Sequence, residues 1–145
     1  MLRVIEVASD AVCTIEKLTI RRGYTESGNG GGGITNRGTL ALLNVEVANC
    51  MSDYLGGGIT NEGSLRLTSC QVTDNAAQQI GGGINNGGDL HLIGTTITRN
   101  RLVVPGSSGG GLSNYGTVTA DAASSIVNNT PDNCSGSNLP AACVV

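Results

Sequence analysis

Three consecutive glycines recur at positions 31–33, 56–58, 81–83 and 109–111, at intervals of 25, 25 and 28 residues. A fixed period of this size points to a solenoid, in which each repeat is one coil that buries its apolar face only against its neighbours. The apolar residues between the glycines decide which kind. Leu40, Leu42, Val45 and Val47 stand at steps of two, three and two, and the steps return as Leu65, Leu67, Cys70, Val72 and as Leu90, Leu92, Thr95, Ile97. Alternation predicts short strands, and the three-residue step predicts a corner at which the chain turns while still pointing inward. A helical repeat would need steps of three and four.

The pattern continues where the triplets do not. Cys13, Ile15, Leu18 and Ile20 precede the first, and Val118, Ala120, Ser124 and Ile126 follow the last with one inserted residue. Five coils are therefore expected in a single domain, at about 4–30, 31–55, 56–80, 81–108 and 109–130, with 131–145 left as a C-terminal cap or tail. Each coil has room for three strands and three corners. Strands about 4.8 Å apart would stack into a rod about 24 Å long. The expected fold is all-β, a parallel β-helix, right-handed because parallel crossovers nearly always are.

Composition supports a thin aliphatic core: there is no Phe or Trp and only three Tyr. The net charge of −3, with eight Lys and Arg, supplies no basic stripe for nucleic acid or acidic membranes. No apolar run approaches the roughly 20 residues of a membrane span. The start, Met1 followed by LRVIEVASDAVC, lacks the features of a secretion signal.

Asn36, Asn61, Asn86 and Asn114 share one place in the repeat, two residues past the inward Ile or Leu, with Ser9 counted there in the first coil. Stacked amides at a corner can donate to one another for roughly 0.5 to 1.5 kcal/mol net per bond. Gly38, Gly63, Gly88 and Gly116 follow two residues later, where a left-handed backbone is expected. The triple glycines suggest a sharp bend or a close approach by a neighbouring coil, a loop or a ligand.

GGGI followed by NxG, with an apolar residue three before Asn75, Asn100 and Asn129, resembles the right-handed β-helix repeats of bacterial surface and secreted proteins. It is similar to polymorphic outer membrane protein repeats, marked by a GGAI-type tetrad and a Phe-x-x-Asn tetrad, and more broadly to the pectate-lyase-like superfamily. Here Gly replaces Ala, Phe is absent, and Cys50 stands where Asn is expected. The resemblance covers residues from about 13 to 136. It implies a structural or adhesive module of a longer exported protein, extracellular or on the cell surface. It also implies a rival: polysaccharide lyases and hydrolases of this architecture cluster carboxylates with a basic residue or calcium.

Projected onto the coils, Arg66, Asp89 and His91 lie together on one outward face. They are the weak catalytic candidates; one carboxylate is thin for glycoside chemistry, and a solvated mixed-charge face explains the same residues. Asp10, Arg37 and Glu62 form an alternating column assigned to structure. Uneven loops at 24–29, 51–55, 76–80 and 101–108 form a ridge carrying Tyr24, Asp53, Tyr54, Gln78, Gln79, Leu102, Val103 and Val104, a candidate binding surface. The alternative is that its apolar members fold back over the corner. The row Thr35, Thr60, Asn85, Ser113 lacks the paired Thr-x-Thr pattern of an ice-binding face.

Five cysteines show no metal-binding spacing. Cys13 and Cys70 read as small core residues, Cys50 and Cys70 are not expected to pair, and Cys134 with Cys143 is a candidate disulfide in an oxidising compartment. No metal or cofactor is expected, calcium entering only with the enzyme reading. The expected partners are a polysaccharide, a protein, or a second copy meeting the uncapped N-terminal coil.

Overall fold

The computed structural model describes residues 3–26, 28 and 30–144. The chain is a parallel β-solenoid of about five coils. The first holds β1 (Ile5–Val7), β2 (Val12–Glu16), β3 (Thr19–Arg21) and β4 (Tyr24–Thr25). The second holds β5 (Ile34–Asn36), β6 (Thr39–Leu43), β7 (Glu46–Ala48) and β8 (Met51–Ser52). The third has β9 (Ile59–Asn61), β10 (Ser64–Thr68), β11 (Gln71–Thr73) and β12 (Ala76–Ala77), and the fourth β13 (Ile84–Asn86), β14 (Asp89–Ile93), β15 (Thr96–Thr98) and β16 (Arg101–Leu102). The fifth has β17 (Leu112–Asn114), β18 (Thr117–Ala120) and β19 (Ser125–Val127), after which β20 (Cys134–Gly136) starts one further rung.

Equivalent strands pair in parallel along the stack. Each of the first four coils contributes four strands rather than the three expected from the repeat, because what reads as the start of the ridge loops is a short fourth sheet, β4-β8-β12-β16. Ala76, Ala77 and Ser52, small enough to be buried there, leave no apolar alternation to betray it.

The core is a set of columns. Leu40, Leu65 and Leu90 stack in register, as do Leu42, Leu67 and Leu92, and Val47, Val72, Ile97 and Ile126. Ile34, Ile59, Ile84 and Leu112 form the column opposite. All are essentially inaccessible to solvent, and each such side chain is worth roughly 1.5 to 3 kcal/mol when fully buried.

The corners are made differently from expectation. Gly38, Gly63, Gly88 and Gly116 do not have positive φ. They are glycine because the coils approach too closely for a Cβ: at Gly63 it would lie 2.1 Å from the Gly38 carbonyl oxygen, and at Gly88 2.1 Å from that of Gly63. Left-handed backbone occurs instead in the columns Lys17, Asn44, Ser69, Gly94 and Arg22, Asn49, Asp74, Arg99, Asn128, with φ of 50 to 59°, and at the first triplet glycines Gly56, Gly81 and Gly109, with φ of 59 to 83°. Asn and Asp tolerate that region at small cost.

In the first coil the sequence count slips. Val7, not Ser9, is in register with Asn36, because residues 8–11 form a turn where the next coil needs only two residues. Asp10 therefore leaves the charge column. Arg37 pairs with Glu6 on one side and with Glu62, 3.1 Å away, on the other.

Candidate functional site

Most of the polar chemistry of this chain is spent inside the stack. Asn36 donates to Asn61 at 2.8 Å, Asn61 to Asn86 at 2.8 Å, and Asn86 to Asn114 at 2.7 Å, each amide also donating to a carbonyl of its own corner. Buried polar groups must be paired, and this ladder pairs them once per coil.

A second ladder, not anticipated from the sequence, lies between the third and fourth sheets. Asn75 donates to Asn100 at 2.9 Å and Asn100 to Asn129 at 3.0 Å, and Asn133 closes the row by accepting from Asn129. Cys50 occupies the ladder's first place, its backbone N–H donating to Asn75 Oδ1 at 2.9 Å. The signal that could have found it is the recurrent apolar-x-x-Asn spacing itself.

This ladder and the carbonyls of the next coil crowd the third glycine of the triplets, while the first has positive φ at Gly56, Gly81 and Gly109. A Cβ on the third glycine of each would meet the ladder: Gly58 faces Asn75 Nδ2 at 3.0 Å, Gly83 faces Asn100 Nδ2 at 2.9 Å and Gly111 faces Asn129 Nδ2 at 2.6 Å. The second glycine lies against carbonyls of the fourth sheet and the next coil, with Ala76 O and Gly82 O each 2.3 Å from a Cβ on Gly57. The close neighbours are the chain itself.

The three catalytic candidates share the outer face of the second sheet. Arg66 is in register with His91, and Asp89 with Ser64. Asp89 accepts a hydrogen bond from the Thr117 hydroxyl, and His91 Nδ1 is 2.8 Å from Thr119 Oγ1. Both thus engage the following coil, away from Arg66. Among the described residues no group of three His, Cys, Asp or Glu is placed to hold a metal ion.

On the ridge, the Tyr24 hydroxyl donates to Asp53 Oδ2 at 2.8 Å, and Gln78 Nε2 donates to Asp53 Oδ1 at 3.0 Å. The hydrogen bond to Asp53 pushes the Tyr24 phenol above its ordinary range. Leu102 is half-buried, whereas Tyr54, Gln79, Val103 and Val104 are exposed. The expected loop at 24–29 includes Ser27 and Asn29, which lie outside the described residues.

The row Thr35, Thr60, Asn85, Ser113 is buried. Chain leaving the ridge covers it, so that Thr35 Oγ1 accepts from Gly31 N–H at 3.0 Å and Thr60 Oγ1 donates to the Leu55 carbonyl at 3.3 Å. It presents no surface to ice.

Cys134 and Cys143 are joined by a disulfide, while Cys50 and Cys70 are buried free thiols and Cys13 is half-buried. Burial raises the pKa of Cys50 and Cys70. No helix among the described residues is long and apolar enough to cross a membrane. The chain matches no protein-family model, no curated protein and no solved structure.

Proposed function

We propose that this chain is a non-catalytic structural or adhesive module of a bacterial surface or secreted protein, a β-helix of the pectate-lyase-like kind with repeats akin to those of polymorphic outer membrane proteins. The observation that carries the reading is where Asp89 and His91 spend their hydrogen bonds: on Thr117 and Thr119 of the next coil. Such contacts stitch coils together. Acid and base work on a glycoside needs a second carboxylate, and neither the column of Asp89 nor that of His91 carries one. The Cys134–Cys143 disulfide supports an oxidising location outside the cell.

The rival reading, a carbohydrate-active enzyme or glycan-binding module, has one observation in its favour: Arg66, Asp89 and His91 do share a face, with Arg66 and His91 in register. The test is incubation with acidic and neutral polysaccharides, with and without calcium, following retention of the protein and release of reducing or unsaturated ends. The scaffold reading expects no product and no change on replacing Arg66, Asp89 and His91 by Ala. Product release abolished by Asp89→Ala would establish the enzyme instead.

A further inference from the structure

The layer above the fifth coil is not built like those beneath it. Cys134 is in register with Leu112 and so continues the column Ile34, Ile59, Ile84 and Leu112. Cys143 bridges to Ile126 and continues the opposite column, Val47, Val72, Ile97 and Ile126. Both cysteines pack against the core. Where the lower coils set aliphatic side chains against one another, this layer therefore carries a covalent bond from one side of the stack to the other.

The segment between the two cysteines and just beyond depends on that bond. Ile126 donates its backbone N–H to the Ala142 carbonyl at 2.8 Å and accepts from the Val144 N–H at 3.3 Å. Asn133, last in the second ladder, donates from its side chain to the Val144 carbonyl. Asn138, Leu139 and Ala141 are exposed, so burial gives residues 138–144 little hold. β20 is secured separately, because it pairs with β17 and Ser137 exchanges hydrogen bonds with Asn114.

The bond is also within reach of solutes. A cavity of about 460 Å³ has both cysteines in its wall, together with Asn129, Leu139, Pro140 and Val144. Leu139 is 41% and Val144 51% exposed, so the cavity opens to solvent. Thiol–disulfide exchange needs a thiolate to approach one of the two sulfurs, and the space admits a small dithiol. The other thiols of the chain cannot intercept it. Cys50 and Cys70 are buried, which pushes both thiols up from their ordinary range. Cys13 belongs to the first coil, five strand spacings or about 24 Å along the stack.

We propose that Cys134–Cys143 is a redox-operated latch, which holds residues 138–144 as a strap across the last coil and is opened by a dithiol reductant. One thiolate of the reductant attacks a cysteine sulfur and the S–S bond breaks. The second thiolate then resolves the mixed disulfide. The chain takes up two electrons and two protons as two thiols, and the reductant leaves as a cyclic disulfide. Without the crosslink the strap lifts from Ile126 and uncovers the outer edge of β19, while β20 stays on β17. Oxidation re-forms the same pair, since no other thiol lies near. The latch belongs to this layer whatever the solenoid serves, so failure of the scaffold reading would leave it standing.

Amide hydrogen exchange of the full chain tests it, followed residue by residue by NMR before and after dithiothreitol without denaturant. Mass spectrometry confirms that the bond has opened. Releasing a loop closed across nine residues is expected to speed exchange at Ile126 and Val144 by on the order of tenfold to a hundredfold. The amides of Leu112 and Ser137, which donate to Asn133 and Asn114, are expected to keep their rates. Reoxidation is expected to restore the slow exchange. The double substitution Cys134→Ser, Cys143→Ser is expected to exchange like the reduced chain and to ignore dithiothreitol. Unchanged protection at Ile126 once the bond is broken would overturn the proposal. So would a bond that opens only when the chain is denatured, or a loss of protection that spreads to Leu112 and the coils below.

Discussion

Oδ1 of Asn100 accepts two hydrogen bonds from Asn75, one from its Nδ2 at 2.9 Å and one from its backbone N–H at 3.0 Å. The Asn100 amide in turn donates to the carbonyls of Val72 and Thr98 and to Asn129. One buried side chain therefore satisfies groups on three successive coils. Asn100→Ala would leave several of these groups unpaired away from water, and a loss of about 2 to 4 kcal/mol in urea unfolding is expected. Asn100→Leu restores volume but no hydrogen bonds, and is expected to rescue little of it.

Two glycine substitutions separate close approach from backbone conformation. Gly106 has φ of 86°, and nothing lies within 4 Å of where a Cβ would sit, so Gly106→Ala is expected to cost about 1 to 2 kcal/mol. Gly63 lacks positive φ, yet a Cβ there would lie 2.1 Å from a carbonyl oxygen of the neighbouring coil. Overpacking of that kind costs typically about 1 to 3 kcal/mol and occasionally more. With rigid backbone on both sides, Gly63→Ala is expected to be the worse of the two by thermal unfolding. The reverse order would show that the corner, not the stacking distance, demands glycine.

Asn85 is the one exception in its row. Its Oδ1 is buried without a hydrogen-bond partner among the described residues, whereas Thr60, one coil earlier, donates to Leu55. Asn85→Thr removes the unpaired oxygen and places a β-branched residue in a strand. It is expected to stabilise by about 1 kcal/mol in chemical denaturation.

Asp74 and Arg99 occupy successive places in one left-handed column and form a bidentate pair, both contacts at 3.0 Å. The hydrogen bonds from Arg99 hold the Asp74 carboxyl below its ordinary value. A depressed pKa contributes stability that is fully present above the unfolded value of about 3.9 and is lost as pH falls through the folded value. Stability is thus expected to decline in acid, less steeply in Arg99→Gln than in the native chain. Because both side chains are largely exposed, the difference is expected to be small. Parallel acid titrations followed by circular dichroism would measure it.

The period, the strand alternation and the first Asn ladder were all legible in the residues, because each is written in steps short enough to be read along one coil. Leu40, Leu42, Val45 and Val47 identify inward positions without reference to any neighbour. What depends on the distance between coils emerged only from the folded chain. Gly63 is glycine because of Gly38, Gly83 because of Gly111 and Asn100, and Gly23 because of the Gly32 carbonyl. The first coil departs from the count at Ser9 and Asp10 for the same reason: a longer turn changes the count along the chain, while hydrogen bonds between β1 and β5 set the register. Likewise, counting puts Asp89 and His91 on one face, but only the next coil directs their hydrogen bonds to Thr117 and Thr119. Periodicity is a property of one strand of chain; close packing and pairing belong to two.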